Sequence, residues 1–192
     1  QNTQEHYETV VQAGADLFVI RGASVSAEHI STSHEPLNLK KFIYELDVPV
    51  MVGGVAGYTQ AKHLMRTGAA GVLVGFGGGS AMTTRKGLGI SAPMATAIAD
   101  VAAARSDYLD ESGGRYVHVI ADGGLSRSGD LVKALALGAD AVMIGAPLAR
   151  ASEAPGQGWY WGNEAHSRDF PRGVRTPLGV VGTLEEVLYG PS

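Results

Sequence analysis

The stretch Gly71-Val-Leu-Val-Gly-Phe-Gly-Gly-Gly-Ser-Ala-Met-Thr-Thr-Arg85 decides how the rest of the chain is read. Its first four residues are apolar or glycine and are bounded by glycine, the pattern of a short strand buried on both faces. The glycines that follow let the backbone turn sharply and approach a ligand closely, because no Cβ intervenes. Hydroxyls at Ser80, Thr83 and Thr84 then stand where a bound group can be held. The stretch predicts a buried strand that empties into a binding loop.

Working outward, the same punctuation recurs. Gln12-Ala-Gly-Ala-Asp16 leads into Leu17–Ile20, Arg66-Thr-Gly-Ala-Ala70 into Gly71–Val74, and Leu137-Gly-Ala-Asp140 into Ala141–Gly145. Each copy reads as a helix closed by a C′ glycine, a tight loop and a buried parallel strand. Val48–Val52 and Tyr116–Ala121 fit two further strands between them. Helices are predicted over Glu5–Ala13, Leu37–Leu46, Tyr58–Thr67, Met94–Leu109 and Ser128–Leu137, the last with Ser128 as N-cap. Thr183 and Glu186 have capping-box spacing and open a final helix, Thr183–Leu188. Strand–helix alternation of this kind is α/β with a parallel sheet. Five units cannot close an eight-stranded barrel of ~250 residues, so the chain is either an open sheet or a barrel lacking its first three units.

The bulk composition narrows the function classes. The chain has 192 residues, 45% of them hydrophobic and 18% charged, which suffices for one real core. A net charge of −4 without clustered Lys/Arg and aromatics argues against a nucleic-acid polymer as partner. Cysteine is absent, which removes disulfides and thiolate metal sites and fits a cytoplasmic setting. No apolar run approaches the ~20 residues of a membrane span. The first residue is Gln1, so the chain reads as a fragment or a processed product.

Glycines close several strands, at Gly22, Gly53-Gly54, Gly75, Gly123-Gly124 and Gly145, and ligands bind at that edge of parallel α/β sheets. Two consecutive strand ends, Asp122-Gly-Gly124 and Gly145-Ala-Pro147, look like a phosphate cradle built from backbone N–H groups. Singly, each is an ordinary tight turn; as a pair they point to phosphate. Asp122 can accept hydrogen bonds from ribose hydroxyls. Gly75, Gly77 and Ser80 approximate a dinucleotide fingerprint, but the residues from Arg85 to Ser91 separate them from the next helix, which weakens that reading. His29 and His34 lack the spacing of a metal motif and read as loop residues. Glu153 follows the last strand and either faces the same pocket or is an ordinary helix-end carboxylate. Trp159-Tyr-Trp161, within the Pro/Gly-rich segment 154–177, belongs to a lid or to a loop anchored by its rings.

Taken together, several motifs resemble the IMP dehydrogenase and GMP reductase family. They are Gly77–Arg85, Val119–Gly124, Val132–Ala139, Val142–Gly145 and Glu153–Gly156. Arg105–Tyr116 and Gly182–Ser192 are similar to its bacterial IMP dehydrogenase-related subfamily. The resemblance implies a (β/α)8 TIM barrel, with this chain as one catalytic domain supplying about the last five βα units. It implies NAD(P)-dependent hydride transfer at carbon 2 of a purine nucleoside 5′-monophosphate. The phosphate then falls to Ser80, Gly123, Gly124, Gly145 and Ala146, and the ribose to Asp122. A monovalent cation such as K+ falls near Gly77 and Gly79, and Thr84 with Glu153 handles a proton or activates water. A homotetramer is implied, or pairing with a complementary N-terminal segment that covers the exposed strand edges.

Two positions depart from the family pattern. Met82 stands where the family has the cysteine whose thiolate adds to purine carbon 2, and a thioether has no proton to lose. Arg21-Gly22 stands where dehydrogenases carry an Asp that serves the cofactor. The expectation is an impaired oxidoreductase of purine metabolism, or alternatively a non-catalytic nucleotide-binding paralogue or assembly subunit.

Overall fold

The computed structural model describes residues 3–22, 37–82, 84–161 and 175–190. Five parallel strands form one sheet: β1 (Phe18–Arg21), β2 (Val50–Val55), β3 (Gly71–Val74), β4 (His118–Asp122) and β5 (Ala141–Met143). Around them run α1 (Thr3–Gln12), α2 (Leu39–Tyr44), α3 (Tyr58–Met65), α4 (Met94–Glu111) and α5 (Ser128–Ala136). A π-helical turn over Thr84–Leu88 separates β3 from α4. A short helix α6 (Ala146–Ala149), a ribbon of β6 (Trp159–Trp161) and β7 (Arg175–Pro177), and α7 (Leu184–Tyr189) complete the described elements.

The spatial order β1-β2-β3-β4-β5 follows the chain without reversal. An open doubly wound sheet reverses its order at a switch point; a barrel does not. The sheet also curls. In a flat sheet three strand spacings would hold the ends of β1 and β4 roughly 14 Å apart. Arg21 Nε nevertheless donates to Asp122 Oδ2 at 2.7 Å, joining those two ends across the sheet. The architecture is therefore five consecutive βα units of a (β/α)8 barrel, with β1 and β5 as the edges of the described sheet.

Burial explains why these short runs are strands. Val52, Val72, Val74, Val119 and Ala121 are fully buried, because helices cover one face and the barrel interior the other. Ala61, Leu64 and Met65 of α3 join Ala97, Ile98 and Val101 of α4 in the same core. At the surface, Glu111 of α4 binds Lys62 of α3 and Arg66, which caps that helix, and these partners hold its carboxyl pKa down at about 2.

Several boundaries differ from the sequence reading. α4 runs two residues beyond the predicted Leu109, to Glu111, and buries Ala97, Ile98, Val101, Ala104 and Tyr108. Ser128 is the first helical residue of α5, not its N-cap; Arg127 holds that position, and Asp130 reaches back to accept from the backbone of Ser126 and Arg127. The last strand stops at Met143, and Gly145 caps α6, where Pro147 fits because a first-turn N–H has no helical partner. The Thr183–Glu186 capping box forms as expected. Thr83, His29, His34 and the middle of the 154–177 segment lie outside the described residues.

Candidate active site

A cleft of about 220 Å³ opens at the carboxyl end of the sheet. Arg21 lines it from β1, Gly77 to Met82 from the loop after β3, Asp122 to Ser126 from the end of β4, Met143 to Ala146 from the end of β5, and Tyr160 from β6. This is the edge where ligands enter such folds, because the helices that return the chain leave the βα loops free.

Glycines set the walls where no other residue fits. Gly75 ends β3 at φ +109°, and a Cβ there would lie 2.6 Å from the Asp122 carbonyl oxygen and from Met94 Sδ. Further along, a Cβ on Gly78 would lie 3.3 Å from the Gly123 backbone, so the loops after β3 and β4 touch main chain to main chain. Gly123 and Gly124 both have positive φ, +108° and +75°. Glycine loops in such contact can gather backbone N–H groups around one small volume, an arrangement that suits an anion.

Within that frame the Met82 N–H donates to the Gly79 carbonyl at 3.0 Å and closes a turn. Ala81 is buried, and both Ala81 and Met82 line the cleft. Asp122 is 7% exposed, and its Oδ2 accepts from Arg21 Nε. Tyr160 Oη stands 2.6 Å from where a Gly145 Cβ would be, so only glycine admits the phenol there.

Of the residues read from the sequence, the structure gathers Ser80, Met82, Asp122, Gly123, Gly124, Gly145, Ala146, Gly77 and Gly79 around the cleft. Thr84 and Glu153 are not among the lining residues. Thr84 opens the π-helical turn, with its Cβ 2.9 Å from where a Cβ on the lining residue Gly77 would be. Glu153 is an N-terminal partner of α7, accepting from the Leu184 N–H at 2.9 Å and from the Ser152 hydroxyl at 3.0 Å. Its own backbone N–H, the Ser152 hydroxyl and the Leu184 N–H together lower its carboxyl below the usual value. A lowered carboxylate stabilises the fold above its ordinary pKa, and that contribution is lost as pH falls through the depressed value. The Leu184 amide resonance should accordingly titrate with a midpoint below the ordinary glutamate value of ~4.3. A midpoint at or above it would mean that Glu153 does not hold α7.

Among the lining residues not read as such from sequence, Arg21 and Tyr160 carry polar groups and lie far apart in the chain. Arg21 registers there only as a departure from pattern, with no sign of its partner. Tyr160 carried a usable signal: in a strand, the middle residue of Trp-Tyr-Trp faces away from its neighbours. Trp159 instead stacks with the Arg175 guanidinium, 4.4 Å from the ring centroid. Among the described residues no three His, Asp or Glu side chains converge as metal ligands. Of the carbonyls expected at a monovalent cation, that of Gly79 is engaged by Met82, leaving one lone pair for such an ion.

Comparison with known proteins places this geometry. Residues 1–174 match the model of the IMP dehydrogenase / GMP reductase domain. An uncharacterized oxidoreductase of Mycolicibacterium smegmatis is 58% identical over all of this chain and 52% of its own length. Inosine-5′-monophosphate dehydrogenase of Thermoplasma acidophilum is 43% identical over 77% of the chain and 28% of its own. The crystal structure of an IMP dehydrogenase/GMP reductase-like protein from Corynebacterium glutamicum superposes with a TM-score of 0.87 at 57% identity, over all of this chain and 50% of that one. The chain spans about half the length of the mycobacterial relatives it matches.

Proposed function

The chain belongs to the IMP dehydrogenase/GMP reductase family, and from that premise we propose that its cleft holds a purine nucleoside 5′-monophosphate within an oxidoreductase whose chemistry at purine carbon 2 is impaired by Met82. The observation that carries this reading is the convergence of the loops after β3, β4 and β5 on one cleft with Met82 in its wall. Backbone N–H groups of Gly124, Gly145 and Ala146, with the Ser80 hydroxyl, hold the phosphate, and the Tyr160 hydroxyl closes that end. Asp122 faces the ribose. The purine then lies toward Met82, where a cysteine would attack and a thioether does not.

A nicotinamide cofactor, NAD or NADP(H), supplies or takes the hydride in this reading. In this reading the cleft takes one mononucleotide, its phosphate on the glycine loops and its ribose at Asp122. Gly77 and Gly79 would share a monovalent cation through their remaining carbonyl lone pairs. The setting is cytoplasmic, and the rest of the barrel, from a preceding segment or an assembled tetramer, covers the edges at β1 and β5.

One observation favours the non-catalytic alternative: Thr84 and Glu153, the residues that would move a proton, stand outside the cleft together with the loss of the thiol. Calorimetry on the full-length protein tests the common core of both readings. GMP or IMP should bind on the order of 10²-fold more tightly than guanosine or inosine, since the phosphate collects at least two charge-assisted hydrogen bonds. Equal affinity for nucleoside and monophosphate would remove the nucleotide reading. NADPH oxidation with GMP and NAD reduction with IMP should both be slow; turnover near the ~10 s⁻¹ of a typical enzyme would remove the claim of impairment.

A further inference from the structure

The ion pair between Arg21 and Asp122 is the feature of the cleft that the nucleotide reading does not absorb. Arg21 ends β1, Asp122 ends β4, and they are 101 positions apart in sequence. The pair lies at 2.7 Å, with the Asp122 side chain 8% and the Arg21 side chain 29% exposed. Both line the cleft. Asp122 is the carboxylate assigned to the ribose, so the group that should receive the sugar hydroxyls already has a charged partner.

Selectivity for a hydroxyl arises mostly from what its absence leaves behind. A buried carboxylate with no other partner is stranded when a ligand lacks the hydroxyl, and such sites reject the deoxy analogue by large factors. Arg21 removes that penalty. Oδ2 of Asp122 stays hydrogen-bonded and its charge stays balanced whichever sugar is present. We propose that Arg21 is a specificity-determining residue that relaxes sugar discrimination, so the site takes 2′-deoxyribonucleoside 5′-monophosphates nearly as well as ribonucleoside 5′-monophosphates. This rests on the mononucleotide reading of the same cleft. Recognition then comes chiefly from the phosphate end, at Ser80, Gly124, Gly145 and Tyr160, which a change of sugar does not touch.

The test is calorimetric, on the full-length protein, with GMP and 2′-deoxyguanosine 5′-monophosphate. The two should bind the native protein within about threefold of each other. Arg21→Met keeps the aliphatic stem but removes the partner of Asp122, and GMP should then be preferred by about tenfold or more. Arg21→Leu serves the same purpose if the methionine variant melts at a lower temperature. A native preference of tenfold or more for GMP overturns the proposal without any variant. So does an unchanged preference after substitution, or an equal weakening of both ligands, which would make Arg21 a direct contact to a group they share. If neither nucleotide binds the native protein, the mononucleotide reading fails first and this inference with it. If both bind but the preference ignores Arg21, only the role of Arg21 fails.

Discussion

Met82→Cys should raise hydride turnover by the full-length protein on the order of 10²-fold or more. Loss of a covalent nucleophile costs up to about 10⁶ in kcat where it has been dissected. Restoring the thiol recovers only part of such a loss here, because Thr84 and Glu153 stand outside the cleft. The substitution is tolerable in place: Met82 sits in the cleft wall rather than the core, and its N–H bond to the Gly79 carbonyl does not involve the side chain. The measurement is NADPH oxidation with GMP and NAD reduction with IMP, alongside alkylation of the new thiol. Cysteine is otherwise absent from these 192 residues, so labelling within this stretch reports position 82 alone, and bound nucleotide should protect it. A thiol that labels, is protected by nucleotide and still gives no gain in turnover would establish the non-catalytic reading.

Gly75→Ala should destabilise the protein by about 2–5 kcal/mol, combining the strain of a positive φ with overpacking. The new methyl would meet the Asp122 carbonyl oxygen at 2.6 Å, and that atom is main chain at the end of the neighbouring strand and cannot yield. Met94 Sδ, at the same distance, could swing away, but this relieves only one of the two clashes. Gly14→Ala is the matched control. It also has a positive φ, +85°, but its methyl would meet nothing within 4 Å, so it carries backbone strain alone, about 1–2 kcal/mol. Urea denaturation of both variants separates the terms. Equal losses would mean that the contact between the ends of β3 and β4 is soft, and the account of the cleft as a rigid double glycine loop would fall. The same variant should lose nucleotide affinity, because Asp122 moves with its carbonyl.

Most of the fold was legible because its signals are local. Gly71–Val74 is the strand that was read, to the residue. The C′ glycines Gly14, Gly68 and Gly138 all have the positive φ that their reading requires. The Thr183–Glu186 box forms because both groups lie within one helical turn. Local signals failed where a partner arrives from elsewhere. Ser128 was one residue off as a cap, because Asp130 accepts from the Ser126 and Arg127 N–H groups and the helix starts at Ser128 itself. Glu153 reads either as a pocket carboxylate or as an ordinary helix-end carboxylate, and only its distant partner, the Leu184 N–H at the start of α7, shows where it is held.

The candidate site divides along the same line. By itself, the sequence determined the parallel α/β class, the family to which the loops belong, the clustering of glycines at strand ends and the absence of a thiol at position 82. These depend on spacing within single βα units and on residue identity, which need no knowledge of neighbours. Only the tertiary structure decided that the strands run in unbroken order and curl, that Tyr160 reaches Gly145, and that Glu153 accepts from the Leu184 N–H. It alone paired Arg21 with Asp122. Those outcomes depend on how far the sheet curls between distant strands, and curl is a property of the packed whole that no single stretch of chain encodes.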